Sequence, residues 1–176
     1  IRKATTHARS FHESDMIIFD PSRINFQELK NIISTQAKMG YKVFFVDQLS
    51  HVMIDNLIKI ERYIKISTEL KALAKHLKVA IVLLHQTSKA SEKRSVETKG
   101  KSRPSDVDMR DAPIENDAAV VIILHRKEKY MSRSEVSELE RGKVSVIVSK
   151  NRYGKSGYMN MYFQPQFSRI VDIDED

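Results

Sequence analysis

Cysteine is absent from all 176 residues. That excludes disulfides and thiolate metal sites, and it fits a reducing, cytoplasmic setting. No apolar run approaches the roughly 18 residues a membrane span needs. No basic-then-apolar leader opens the chain, so no membrane partner is expected. The six histidines never fall at H-E-x-x-H or any other ligand spacing, which argues against a zinc site. The first residue is Ile1 rather than Met, which implies residues upstream.

What is present is the composition of an ordinary globular domain, 41% hydrophobic and 30% charged. The length suits one domain with a proper core and is short for two. A net charge of +7 and a pI near 9.5 point to a polyanionic partner such as nucleic acid. A merely basic surface explains the same numbers equally well, so the placement of the charge matters more than its sum.

Short apolar strings alternate with helical patterns along the first half. Met16-Ile17-Ile18-Phe19 reads as a buried strand, closed by Asp20-Pro21. From 25 to 39 the apolar positions Phe26, Leu29, Ile32, Ile33 and Ala37 keep helical spacing, with Asn25 as N-cap and Gly40 as the stop. Val43-Phe44-Phe45-Val46 is a second strand. Residues 54–77 form the longest helical pattern, with Ile58, Ile64, Leu70, Leu73, Ala74 and Leu77 on one face. Ala80-Ile81-Val82-Leu83-Leu84 follows as a third strand. Strands apolar throughout and joined by helices predict a parallel sheet covered on both faces. Residues 87–112 hold almost nothing to bury and are crowded with Lys, Arg, Ser and Asp, which predicts a long, flexible basic loop. Further strands are expected at 118–124 and 144–149. A turn at 153–157 then leads to a hairpin partner at 158–163 and a last edge strand within 167–173. The sheet therefore starts parallel and finishes antiparallel.

Four residues carry candidate chemistry. Asp47 ends an apolar strand, so its carboxylate is expected at the carboxyl edge, where open α/β folds bind ligands. Four hydrophobic residues followed by Asp is the Walker B arrangement, in which the acid holds a water of the nucleotide's Mg²⁺. A turn-forming Asp is the plainer explanation. Gln86 lies just past the next strand, where a neutral amide suits a phosphate or a positioned water, or simply caps the strand. Lys150 and Arg152 lie two apart at a strand end and so project to one side. Paired cations suit a phosphate chain, with Arg able to clamp it bidentately, although solvated strand ends often carry such residues.

The ordered set resembles the conserved core of DnaB-type replicative DNA helicases. Val46-Asp47-Gln48-Leu49 is similar to the family's hydrophobic-Asp-Tyr-Leu element, and Leu70-Lys71-Ala72-Leu73-Ala74-Lys75 precedes the strand before Gln86 as it does there. Arg103-Pro104, Ser105-Asp106, Met109-Arg110 and Ile114-Glu115-Asn116-Asp117-Ala118 resemble its Arg-Pro, Ser-Asp-Leu-Arg and Ile-Glu-Gln-Asp-Ala stretch. Ile123-Leu124-His125-Arg126 with Tyr130, and the run Val148-Ser149-Lys150-Asn151-Arg152-Tyr153-Gly154, complete the likeness. It covers nearly everything from Met16 onward.

The resemblance implies a RecA-like α/β motor, with residues 1–176 as a single incomplete domain. It implies ATP and Mg²⁺ as cofactors, with Asp47 as the Walker B acid and Gln86 as the γ-phosphate sensor. Lys150 and Arg152 become cations that reach a neighbour's ATP, Arg152 as arginine finger, in a homo-hexamer around single-stranded DNA. Lys89, Lys93, Arg94, Lys99, Lys101, Arg103 and Arg110 become the DNA-tracking cations. A primase and a helicase loader are the further partners it implies. All four site residues are then expected to leave one rim of one sheet. Departures from the pattern include Gln48 for the usual Tyr, His85 where Ser is common, Ala112-Pro113 for Ser-Gly and Ala119 for Asp. They mark a divergent, phage-like member.

One part of a motor is missing from the sequence. The phosphate loop G-x-x-x-x-G-K-S/T has only a superficial echo in Gly154-Lys155-Ser156, because Ser149 stands where the first glycine is needed. The tripeptide reads as a turn, and the chain alone is expected to be inactive towards ATP. Two alternatives stand beside the helicase reading at this point. One is another RecA-like ATPase, of recombination, repair or KaiC type. The other is a non-catalytic DNA-binding relic.

Overall fold

The computed structural model describes residues 15–101, 104, 113–132 and 134–173, without the side chains of Lys89, Ala90 and Leu139. Its first regular pieces are β1 (Ile24–Asn25) and α1 (Phe26–Lys38). Asn25 caps the helix as the sequence requires, its side chain accepting from Gln27 N at 2.8 Å. The helix stops at Met39, and Gly40 follows with φ +106°, a conformation glycine adopts at no steric cost.

β2 (Val43–Val46) and β4 (Ala80–Leu83) pair in parallel, with Val46 opposite Leu83. The crossover between them carries β3 (Val52–Met53), which pairs with β1, and the long helix α2 (Lys59–Leu77). That helix starts at Lys59 rather than 54, because Asn56 adopts φ +60° just before it. It buries Tyr63, Ile66, Ser67 and Leu70, whereas Ile58 and Ile64, expected on that face, are exposed. Together α1, α2 and the inner sides of β2 and β4 enclose the main core, into which Ile114 also reaches.

Two expectations fail here. The apolar string at 16–19 forms no strand, and all four of its side chains are exposed. Apolarity licensed burial, but nothing among the described residues covers the segment. Nor is the parallel pair covered on both faces: Phe44, Val46, Ile81 and Leu83 pack on the helices, while Val43, Phe45 and Val82 on the other side are open to solvent, Phe45 at 72%.

The second half is antiparallel, in the order β5 (Val120–His125), β6 (Lys143–Asn151), β7 (Gly157–Gln164), β8 (Arg169–Asp172). The expected hairpin and final edge strand are therefore present. The basic stretch is not all loop, since α3 (Lys89–Glu97) opens it. Ser88 caps this helix through a bond from Ser91 N at 3.2 Å, and Ser91 and Ser95 form its buried side. A face of small serines escapes a search for hydrophobic periodicity. Just beyond it, Gly100 has φ +70°, and an added Cβ would lie 2.8 Å from Lys127, so glycine is needed there. Its carbonyl meets Nε2 of buried His125 at 3.0 Å.

Candidate functional site

Asp47 and Gln86 come from the parallel pair. The ladder continues one step past the strands, with Leu84 N donating to Val46 O and Leu49 N to Leu84 O, both at 3.0 Å. Asp47 thus sits beside Leu84 at the carboxyl rim, with Gln86 two residues farther along. Both side chains are exposed. Among the described residues no cation pairs with Asp47, and no cluster of three or more metal-ligating side chains occurs. A single unneutralised carboxylate at a strand end fits Mg²⁺, which usually keeps several waters and takes one or two carboxylates plus substrate phosphates. Between them, His85 stands edge-on to the buried Tyr63 ring at 5.3 Å. It therefore lies against the helix that crosses from one strand to the other.

Lys150 and Arg152 belong to the other sheet. Lys150 is opposite Val121 near the end of β6, and Arg152 lies in the turn just after it. No ladder among the described strands joins β4 to β5, so the expectation of one rim of one sheet is not met. A 3₁₀ turn, Ile114–Asn116, lies just before β5. The two cations do project together, onto that turn. Lys150 Nζ donates to the carbonyls of Glu115 at 2.7 Å and Asn116 at 3.3 Å, and Arg152 reaches Asn116 O at 3.4 Å. Hydrogen bonds to neutral carbonyls orient a cation without cancelling its charge. Among the described residues neither side chain forms an ion pair with a carboxylate.

The turn is itself tied to α2. Ile114 is buried, Ser67 Oγ donates to its carbonyl at 3.3 Å, and Thr68 Oγ1 donates to Asp117 Oδ2 at 2.9 Å. Sequence reasoning missed Ser67 and Thr68, because nothing in a helical pattern marks which hydroxyls meet a distant turn. Asn151 shapes the tip of the β6–β7 hairpin, accepting from Tyr153 N at 3.0 Å. Gly154-Lys155-Ser156 lies in that tip, between two strands, as the turn reading requires.

The DNA-facing candidates divide. Lys93 and Lys101 are exposed, Lys93 only 3.9 Å from Glu97. Lys99, at φ +49°, is bonded to Glu135. That hydrogen bond, with further ones from Ser132, holds the Glu135 carboxyl down to about 2. Arg94 is half-buried. Lys89 opens α3, but its side chain is outside the described set, and Arg103 and Arg110 lie outside the described residues. Behind this region Glu128 accepts from Arg126 and, at 2.8 Å, from Gly142 N. Burial raises its pKa, but those bonds outweigh burial and the net shift is downward.

The family model for the DnaB-like helicase C terminal domain matches residues 1–172. The chain belongs to that family. Replicative DNA helicase DnaB of Haemophilus influenzae is 37% identical over 112 residues, covering 63% of this chain and 22% of that protein. DnaB of Buchnera aphidicola is 27% identical over 168 residues, covering 93% of this chain and 34% of the other. The chain thus spans a minor part of these relatives. Among solved structures, the ATPase domain of G40P matches with a TM-score of 0.83 at 23% identity, over 97% of this chain and 59% of that one. A DnaB-like replicative helicase, solved for its interactions with primase, matches with a TM-score of 0.81 at 24% identity, over 97% and 40%. The fold is RecA-like, with parallel strand pairs in the first half and a separate antiparallel sheet in the second. Among the described residues of this DnaB-like domain, no helix is long and apolar enough to cross a membrane.

Proposed function

We propose that this DnaB-like domain is the C-terminal part of an ATP-driven ring motor that translocates on single-stranded DNA and unwinds duplex. The observation that carries the reading is the division of charge between two sheets. Among the described residues, an acid with no cation partner and an amide stand on one rim, while Lys150 and Arg152, with no carboxylate partner, lie at the end of a strand in a separate sheet. A nucleotide bound at Asp47 and Gln86 then receives its cations from an adjoining protomer, which a closed homo-hexamer provides.

In that arrangement Asp47 would hold Mg²⁺ through a water, and Gln86 would meet the γ-phosphate or the attacking water. The metal, when bound, neutralises charge that develops on the phosphates. Lys150 and Arg152 act on the neighbour's phosphates, Arg152 as the finger, a role worth roughly 10³–10⁵ in rate. The phosphate loop comes from a part of the motor outside this sequence, so residues 1–176 are one incomplete domain that does not hydrolyse ATP by itself. The open apolar side of β2 and β4 suits packing by that remaining part. The basic stretch 87–112 follows the DNA backbone. A primase and a loader are proposed partners on the family's pattern.

The test is Arg152→Ala in the complete ring. ATP turnover is expected to fall by about 10³-fold or more while nucleotide binding is largely kept. Turnover at the wild-type rate removes Arg152 from the finger role, and a relic without catalysis shows no turnover before the substitution either.

A further inference from the structure

We infer that Ser67, Thr68 and Asp117 are positioning residues that set where Lys150 and Arg152 are presented. The inference rests on the in-trans role proposed above for those cations.

The contacts form one continuous path. Lys150 and Arg152 lean on the carbonyls of Glu115 and Asn116. From the far side, Arg152 N donates to Ala119 O at 3.0 Å, which fixes the backbone of the same residue. The turn that offers those carbonyls is pinned at its first residue by Ser67 and the burial of Ile114, and just past its end by Thr68 through Asp117. Ser67 and Thr68 are neighbours in the middle of α2, and α2 is the crossover between the strand that ends in Asp47 and the strand that leads to Gln86. One rigid helix therefore carries both the rim for the protomer's own nucleotide and the seat of the cations offered outward.

The chemistry favours positioning over storage. The guanidinium has five N–H donors, and the one contact to Asn116 leaves others for a phosphate. Because the contacts are to neutral carbonyls, they orient the cations without a carboxylate competing with a phosphate for them. Displacing the turn by an ångström would displace both cations, and errors of that size cost up to about 10²-fold in rate.

The test uses the complete ring and steady-state ATP hydrolysis. Thr68→Val and Asp117→Ala are expected to lower kcat by about 10-fold to 10²-fold with KM for ATP unchanged. Thr68→Ser and Asp117→Asn keep a donor and an acceptor and should stay near wild type. The inference is overturned by wild-type kcat in Thr68→Val and Asp117→Ala, or by equal loss in Thr68→Ser and Thr68→Val. Arg152→Ala in the same series separates the two claims: wild-type turnover in that variant defeats the in-trans reading itself.

Discussion

The parallel half and the antiparallel half of this domain are built on different physics. In the first, Phe26, Leu29, Ile33, Val46, Leu49, Val52, Tyr63, Ile66 and Leu70 converge on one core under two helices. In the second, four strands pair in one antiparallel sheet with a register shift at Val121/Ile122, yet Ile122, Leu124, Tyr158 and Met159 remain exposed, and few side chains beyond Val121, Ile123, His125 and Val144 are buried. Side-chain burial stabilises the first half. Backbone pairing does more of that work in the second, which leaves apolar surface available for contact with other protein.

Point substitutions sharpen that contrast. Ile66 is fully buried, so Ile66→Ala should cost about 2–5 kcal/mol in chemical denaturation. Ile122, at 58% exposed, should cost no more than about 0.5 kcal/mol when cut to Ala. Similar costs at the two sites would erase the distinction. The next effect concerns DNA and the exposed cations of α3 and the residues just after it. Removing Lys93 and Lys101 together should flatten the salt dependence of single-strand binding by about 1.4 in slope, near 0.7 for each lost phosphate contact. Lys99→Ala should do less, because Lys99 is engaged by Glu135. An unchanged slope in the double variant would take α3 and the residues after it off the DNA path.

The smallest effect is a titration. Glu135 is depressed from an ordinary 4.5 to about 2. Its carboxylate therefore supports the contact to Lys99 above pH 4.5, and that support is lost as pH falls towards 2. Carboxyl chemical shifts should report a midpoint near 2 in the wild type and a return towards 4.5 in Lys99→Ala. A wild-type midpoint near 4.5 would mean that the contact does not persist in solution.

How far the sequence revealed all this depended on how local each signal was. The cap at Asn25, the stop at Gly40, strands β2 and β4 and the β6–β7 hairpin follow from neighbouring residues and could be read directly. Asp47 and Gln86 share a rim because both follow strands of one parallel pair, which alternating patterns predict. The bare string at 16–19 and the open side around Phe45 could not be read, since apolar residues announce what ought to be covered and say nothing about whether a cover is present. α3 was hidden by its serine face. The separation of the two sheets was hidden too, because apolar strings mark strands and say nothing about which strands pair. The seat for Lys150 and Arg152 is made of main-chain carbonyls, which any residue supplies, so no side-chain pattern could mark it.

Shared work between protomers is tested most directly by mixing two dead subunits. Rings made only of Asp47→Ala, or only of Arg152→Ala, should hydrolyse little ATP. Mixed rings should regain a measurable fraction of wild-type turnover, because some interfaces bring an intact acid on one protomer to an intact arginine on the next. Mixed rings as inactive as either parent, under conditions where wild-type subunits exchange and remain active, would contradict the account.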